Sequence, residues 1–310
     1  MEWICDMKWY MALNEAGTSG DIGLHTKLAV LSGIRHTDLE PHLLYTGNRN
    51  AFTAWLEDQG VTIIDSTLPY YDLIERLTKE GRYNLAKIGH WLRTNVCLEE
   101  RQDRHVLYTD VDVMFLRRPK LAGLTPRYFA AAPEFDKTTT NYFNAGVMVV
   151  NTEGLREEYA LFETYLRRKI ELQTHHFHDQ IAYNQFYRGR WNRLPLELNW
   201  KPYWGQNDAA TLLHFHGPKI AAIEAIIEGR WNWDSSHGRE IGSQFASHVS
   251  DYLAAFAATE DYLPQLLPAE QDRLGKFIAQ LRSFDGGQLT PKIDLDFTKF
   301  RMFPSDLGVY

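Results

Sequence analysis

Read for its apolar positions, the first half of the chain alternates short apolar runs with longer stretches in which apolar residues recur every three or four positions. The runs at 9–13, 41–46, 61–65 and 105–109 are too short for helices and predict β-strands. Between them, 21–34 repeats Leu24, Leu28 and Leu31 on one face, with Asp21 placed to cap its start, and predicts a helix. A second helix is predicted over 83–98, where Leu85, Ile88, Leu92 and Val96 form a core-facing stripe. Runs at 128–132, 145–150 and 211–215 predict that the sheet continues, with helices at 153–172 and 178–187 between the last two. Strands and helices in alternation predict an α/β sandwich with a largely parallel sheet covered on both faces, which binds ligands at the carboxyl ends of its strands.

After residue 220 the pattern becomes helical, near 241–258 and 268–283, and ends in a tail containing Asp285, Gly286, Gly287 and Pro291. No repeat, low-complexity tract or long linker separates this part. The reading is therefore a main domain over 1–220 and a helical C-terminal extension over 221–310 packed on it.

Composition changes this picture little. With 44% hydrophobic and 24% charged residues the chain matches soluble globular proteins. A net charge of −7 argues against the broad phosphate-binding surface of a nucleic-acid protein, so any anion is held locally. Cys5 and Cys97 lie far apart without zinc or CxxC spacing, which fits a reducing compartment and predicts a cytoplasmic location. The first residues lack the apolar run of a signal peptide, and no stretch reaches the length of a membrane span. Peripheral membrane contact and oligomeric state stay open.

The chemistry gathers in His105-Val-Leu-Tyr-Thr-Asp110-Val-Asp112-Val-Met-Phe115. Two carboxylates at i and i+2 share one face of an extended chain, with α-carbons roughly 6.5–7 Å apart, close enough to share a divalent ion. Hard oxygen ligands favour Mn²⁺ or Mg²⁺. A bare Asp-x-Asp is also a common turn, but here apolar residues continue on both sides, where an unpaired carboxylate would be costly. Arg93 shares its helix face with Ala86 and Gly89, small residues that leave room for phosphate oxygens beside the guanidinium.

Arg93, seventeen residues before the first aspartate of Leu-Tyr-Thr-Asp-Val-Asp, resembles the retaining glycosyltransferases of family 8, the glycogenin and bacterial lipooligosaccharide galactosyltransferase type. The resemblance implies that Arg93 and Asp110 serve the donor's diphosphate. Three further blocks match in the family's order. Tyr142-Phe-Asn144-Ala145-Gly146 resembles its Phe-Asn-Ala-Gly strand, which implies that Asn144 faces the donor sugar while Ala145 and Gly146 admit the ligand to the backbone. His178-Asp179-Gln180 is similar to its Asp-Gln pair near the anomeric carbon, although Asp179 would serve equally as a helix cap. Leu213-His214-Phe-His-Gly217-Pro-Lys219 resembles the block that closes over the diphosphate. It implies His214 as the third metal ligand beside Asp110 and Asp112, with Gly217 and Lys219 on the phosphates. This block is one residue short before Lys219 and lacks the Pro-Trp that normally follows. His216 lies on the same strand face as His214 and competes for the metal. Where the family carries an acidic pair for uracil and ribose, Asn14 and Glu15 are the aligned residues, and Asp6 fits less well.

The resemblance spans 9–220. It implies a GT-A nucleotide-diphospho-sugar transferase fold, a three-layer α/β/α sandwich with a mostly parallel mixed sheet. It also implies a hexosyltransferase that takes a UDP-sugar donor, an unidentified saccharide, lipid-linked or protein acceptor, and Mn²⁺ or Mg²⁺. Retention by front-face displacement is favoured over a covalent intermediate, because Asp179 and Gln180 are the only nucleophile candidates and glutamine is a poor one. Two alternatives stand beside this reading. A sugar-phosphate nucleotidyltransferase needs a basic residue in the loop after its first strand, and here none precedes Lys27. A non-catalytic nucleotide-sugar binder would not need all three metal ligands. Trp200, Tyr203, Trp204, Trp231 and Trp233 read as packing residues ahead of a sugar platform. His175, His176 and His178 read as a solvated loop ahead of a zinc site.

Overall fold

The computed structural model describes residues 7–173 and 177–292, so the expectations on Cys5, Asp6, His175 and His176 lie outside the described residues. The chain begins with β1 (Lys8–Asn14), α1 (Gly20–His36), β2 (Glu40–Thr46), α2 (Ala51–Asp58), β3 (Thr62–Asp65) and α3 (Tyr71–Lys79). After α4 (Val96–Glu99) come β4 (His105–Thr109), β5 (Val113–Phe115), β6 (Phe129–Pro133) and β7 (Phe143–Asn151). Next follow α5 (Thr152–Gln173), α6 (Asp179–Phe186), β8 (Asn192–Arg193) and β9 (Leu212–His214). The last four helices are α7 (Ile220–Ile227), α8 (Ser236–Ser247), α9 (Val249–Ala257) and α10 (Pro268–Ser283).

Seven strands form one sheet in the order β3-β2-β1-β4-β7-β6-β8. The strands β3, β2, β1 and β4 run parallel, β7 is antiparallel to both its neighbours, and β8 runs parallel to β6. The five residues Trp9–Leu13 of β1 are all buried, as expected of a strand covered on both faces. Alternate residues enter different cores. Trp9, Met11 and Leu13 pack with Ala29, Val30 and Leu56 from α1 and α2. Tyr10 and Ala12 pack with Ile74 of α3, Phe162 of α5 and Tyr183 of α6. The result is the three-layer mixed sandwich expected from the sequence.

A third core lies outside the sandwich. Leu24, Leu28 and Leu31 of α1 point away from the sheet and pack with Ile223, Phe256 and Phe277 of the C-terminal helices. Lys27 and Glu270 join α1 to α10 at 2.7 Å in the same region. Among the described residues no helix is long and apolar enough to cross a membrane.

Several elements differ from the sequence reading. The run at 211–215 does not extend the main sheet. Its strand β9 pairs antiparallel with β5 in a separate two-stranded sheet, with Val113 opposite His214. The predicted helix over 83–98 is a 3-10 segment, Leu85–Asn95, that becomes α-helical only at Val96. Gly89 is pressed against Asn14, where a β-carbon would lie 3.0 Å from its side-chain oxygen, and Asn14 Nδ2 draws on the Ala86 carbonyl at 2.9 Å. This contact tightens the turn. The predicted helix near 241–258 is broken into α8 and α9 by the non-helical backbone at His248. The short helices α2, α3 and α7 were not anticipated.

Candidate active site

A cavity of about 630 Å³ opens where β1 and the 3-10 segment meet the turn after β4. Asn14, Ala86, Gly89 and Arg93 line one side, and Asp110, Asp112, Gly217 and Lys219 line its floor. The acidic pair converges here by a different route from the one its spacing suggested. Residues 110–112 form a bend that carries the chain from β4 in the large sheet to β5 in the small one. The Asp110 amide donates to the Gly146 carbonyl at 2.6 Å, and the Asp112 carbonyl accepts from the Phe215 amide at 2.9 Å. Thus each carboxylate is anchored to a different sheet. One ligand atom from each of Asp110, Asp112 and His214 lies within 4.8 Å of the others.

A hydrogen-bond chain fixes how His214 presents itself. The Gly146 amide donates to Asn144 Oδ1 at 3.0 Å, so that oxygen is an acceptor. It also accepts from Asn199 Nδ2 at 3.1 Å, which turns Asn199 Oδ1 toward His214 Nδ1 at 2.9 Å. His214 therefore carries its proton on Nδ1. Its Nε2 is 3.3 Å from Asp112 Oδ1. Burial lowers the affinity of His214 for a second proton, which keeps the imidazole neutral near pH 7. Two hard carboxylates and one neutral imidazole suit Mn²⁺ or Mg²⁺, and the oriented Nδ1–H is the usual outer support of a histidine ligand. Asn199 was missed by the sequence reading.

His216 has other partners. Its Nδ1 is 3.0 Å from the Tyr203 hydroxyl and its Nε2 is 3.3 Å from Glu134. It lies outside the metal cluster although it lines the cavity.

Arg93 is 5% exposed and holds three groups at once. Its Nη2 reaches Asp110 at 2.6 Å, its Nε reaches Asp179 at 2.6 Å, and its Nη1 donates to the Ala145 carbonyl at 2.5 Å. Burial opposes its charge, but Asp110 and Asp179 outweigh that and keep it protonated. Lys219 donates to Asp112 and to the Phe215 carbonyl. Burial likewise opposes ionisation of Asp112, yet the Lys219 ammonium holds its carboxyl well below the usual range.

The remaining expected residues are placed as follows. Asn144 is 3% exposed and its amide is spent on Gly146, Asn199 and Gln180. Gln180 Oε1 accepts from the Asn144 side chain and the Ala145 amide, and its Nε2 donates to Glu134 and Tyr142. These residues, with Asp179, lie behind the cavity wall. Gly146 is the point of closest approach, though to protein groups: a β-carbon there would lie 2.3 Å from His214 and 2.8 Å from Asp110. Glu15 is outside the cavity, where it accepts from the Asn48 amide at 3.0 Å. Tyr203 and Trp204 are buried, and Trp200, Trp231 and Trp233 pack partly buried against the third core, as the packing reading expected.

The sequence reading also missed other residues of the cavity. Glu134, from the end of β6, and His237, Glu240 and Gln244, from α8, face the cavity. Burial opposes ionisation of Glu134, but His216 and Gln180 hold its carboxyl below the ordinary value.

No family model matches the chain. Glycogenin of Neurospora crassa is 25% identical over 276 residues, covering 84% of this chain and 36% of that protein. The chain thus spans about a third of the length of this curated relative. In overall structure it is similar to the galactosyltransferase LgtC, solved in complex with donor and acceptor sugar analogs. The two are 16% identical with a TM-score of 0.51, over 78% of this chain and 96% of that one. The glycosyltransferase GlyE of Streptococcus pneumoniae gives 18% identity and a TM-score of 0.50, over 69% and 56%. The fold is that of the GT-A glycosyltransferases, and the resemblance to family 8 is borne out by glycogenin as the sequence relative.

Proposed function

We propose that the chain is a metal-dependent, retaining glycosyltransferase that moves a hexose from a UDP-sugar to a hydroxyl acceptor. The observation that carries this reading is the convergence of Asp110, Asp112 and His214 on the floor of a cavity large enough for a nucleotide-sugar.

Asp110, Asp112 and His214 would hold the ion, Mn²⁺ or Mg²⁺, whose contribution when bound is charge neutralisation on the departing diphosphate. Lys219 and Arg93 add fixed positive charge at the same end, where charge develops as the glycosidic bond breaks. Asn14, Ala86 and Gly89 form the wall suited to the nucleoside. Asn144 and Gln180 act through their neighbours: they set the Asn199 amide that orients His214 and hold the Glu134 carboxylate in place. Asp179 is committed to Arg93, which makes it a poor nucleophile and favours front-face transfer.

The nucleotidyltransferase alternative loses its basic residue. Lys27, the first after β1, is 2% exposed and is held by Glu270 and the Trp55 ring, facing away from the cavity.

The test is a panel of UDP-sugars assayed for Mn²⁺-dependent hydrolysis. Turnover of at least one, abolished in Asp112→Ala with the fold intact by circular dichroism, is expected. Full activity in that variant, or diphosphate release from UTP and a sugar phosphate, would sink the proposal.

A further inference from the structure

The side of the cavity built by α8 has its own chemistry. The residues that α8 gives to the cavity are His237, Glu240, Ile241 and Gln244. Their spacing of three, one and three places them on one face of the helix, so α8 presents a single stripe of mixed polar and apolar groups. Gln244 lies at its end. It is 1% exposed, and its Oε1 is a buried oxygen that no protein donor reaches among the described residues. Glu134 Oε2, on the same cavity, is in the same condition, although Glu134 Oε1 is bound by Gln180.

A buried acceptor without a donor forfeits the hydrogen bonds it had in water, a cost of about 1–3 kcal/mol. Packing does not require the oxygen there. Gln244 sits over the backbone of Gly217, whose φ is +99° and where a β-carbon would come within 2.4 Å of Oε1. An apolar side chain of the same length would fill this space. The chemistry that satisfies two such acceptors, beside the apolar Ile241 and Phe135, is a molecule with hydroxyl donors on an otherwise C–H surface.

We propose that the stripe on α8 is a saccharide subsite in which Gln244 Oε1 accepts a hydrogen bond from a sugar hydroxyl, with Glu134 Oε2 receiving a second. The inference rests on the glycosyltransferase reading and assigns to the helical extension a share of sugar selection. The hydroxyl belongs either to the acceptor saccharide or to the hexose being transferred, and the two sources are separable.

The experiment compares the full chain with Gln244→Leu and Gln244→Glu. Calorimetry measures UDP, UDP-glucose and UDP-galactose in the presence of Mn²⁺. Saturation-transfer NMR measures glucose, galactose, maltose and lactose on the UDP-loaded protein. In Gln244→Leu a loss of about tenfold is expected in one class, because a buried hydrogen-bond partner goes unpaired. Loss confined to UDP-hexoses relative to UDP identifies the transferred sugar, and loss confined to free saccharides identifies the acceptor. Gln244→Glu, which keeps an acceptor oxygen, retains the binding. UDP affinity in both variants, and the midpoint of thermal unfolding in Gln244→Leu, stay at or above those of the natural chain. Unchanged sugar affinities in Gln244→Leu, no saccharide or UDP-hexose binding beyond that of UDP, or a lowered midpoint in Gln244→Leu would overturn the subsite. Failure of UDP itself to bind the natural chain would instead overturn the glycosyltransferase reading.

Discussion

Arg93 Nε and Asp179 Oδ2 lie 2.6 Å apart, and both side chains are all but removed from solvent. On its other side the same guanidinium holds Asp110. Removing the cation leaves the buried Asp179 carboxylate without its partner, a loss that typically costs about 3–5 kcal/mol. Arg93→Met is therefore expected to lose stability on that scale by urea unfolding. Arg93→Met combined with Asp179→Asn is expected to be less destabilised than the two single changes summed. Strict additivity would show that the pair is not coupled.

Asn199 supports the metal cluster from behind, by accepting the Nδ1–H of His214. Partners of this kind typically account for about 10–100-fold in metal affinity. Asn199→Leu should weaken Mn²⁺ binding to that extent in a titration followed by electron paramagnetic resonance, while both carboxylate ligands remain. Asn199→Asp keeps an acceptor and should recover most of the loss. Unaltered affinity in the leucine variant would show that His214 is oriented by something else.

Gly146 leaves no space for a side chain, with His214, Asp110 and Asn144 all within 3 Å of where a β-carbon would stand. Gly146→Ala is expected to displace His214 from the carboxylates and reduce Mn²⁺ affinity by about 10–100-fold, the range typical when a ligand loses its orientation. Its effect on stability should be modest in comparison with that on metal binding. A variant with full Mn²⁺ affinity would require that the surrounding side chains yield freely.

How much of this was legible in the chain depends on the kind of signal. Asp110 and Asp112 could be found because they break an apolar run, and Arg93 because Ala86 and Gly89 clear its face. All of these reach the cavity, though through a bend and a 3-10 turn that periodicity does not distinguish from a strand and a helix. Helices α2 and α3 have eight and nine residues, too short to establish a period. Asn199, Glu134 and Gln244 carry no local pattern at all. Each gains its role from a partner brought near only by the fold, so no window of sequence contains the information. Gly217 lies on the cavity as expected, whereas Glu15, just past the end of β1, turns to the loop after β2.

Acid should weaken the fold in a particular window. Burial holds His25, which packs against Phe215 and Phe256, at a pKa of about 3. The unfolded chain takes up that proton near pH 6.5, so between the two values the unfolded state binds more protons than the native one. Stability is complete above about pH 6.5 and declines on acidification, by on the order of 4 kcal/mol from this group once pH 3 is reached. His214, lowered in the same direction, adds to the slope, whereas Asp112 begins to contribute only below the ordinary aspartate range. Urea unfolding at pH 7, 5 and 4 should show the decline, and His25→Leu should flatten it. An equal slope in both proteins would remove His25 as its source.

The ladder between β5 and β9 has three residue pairs, yet it joins chain segments roughly a hundred residues apart, a closure whose entropic cost such a short ladder offsets only in part. A cation shared by Asp110, Asp112 and His214 would span that same closure. It would then work as a cross-link between the sandwich and the chain that leads into the C-terminal helices. Chelation should consequently be felt as faster amide exchange along β9 and the start of α7.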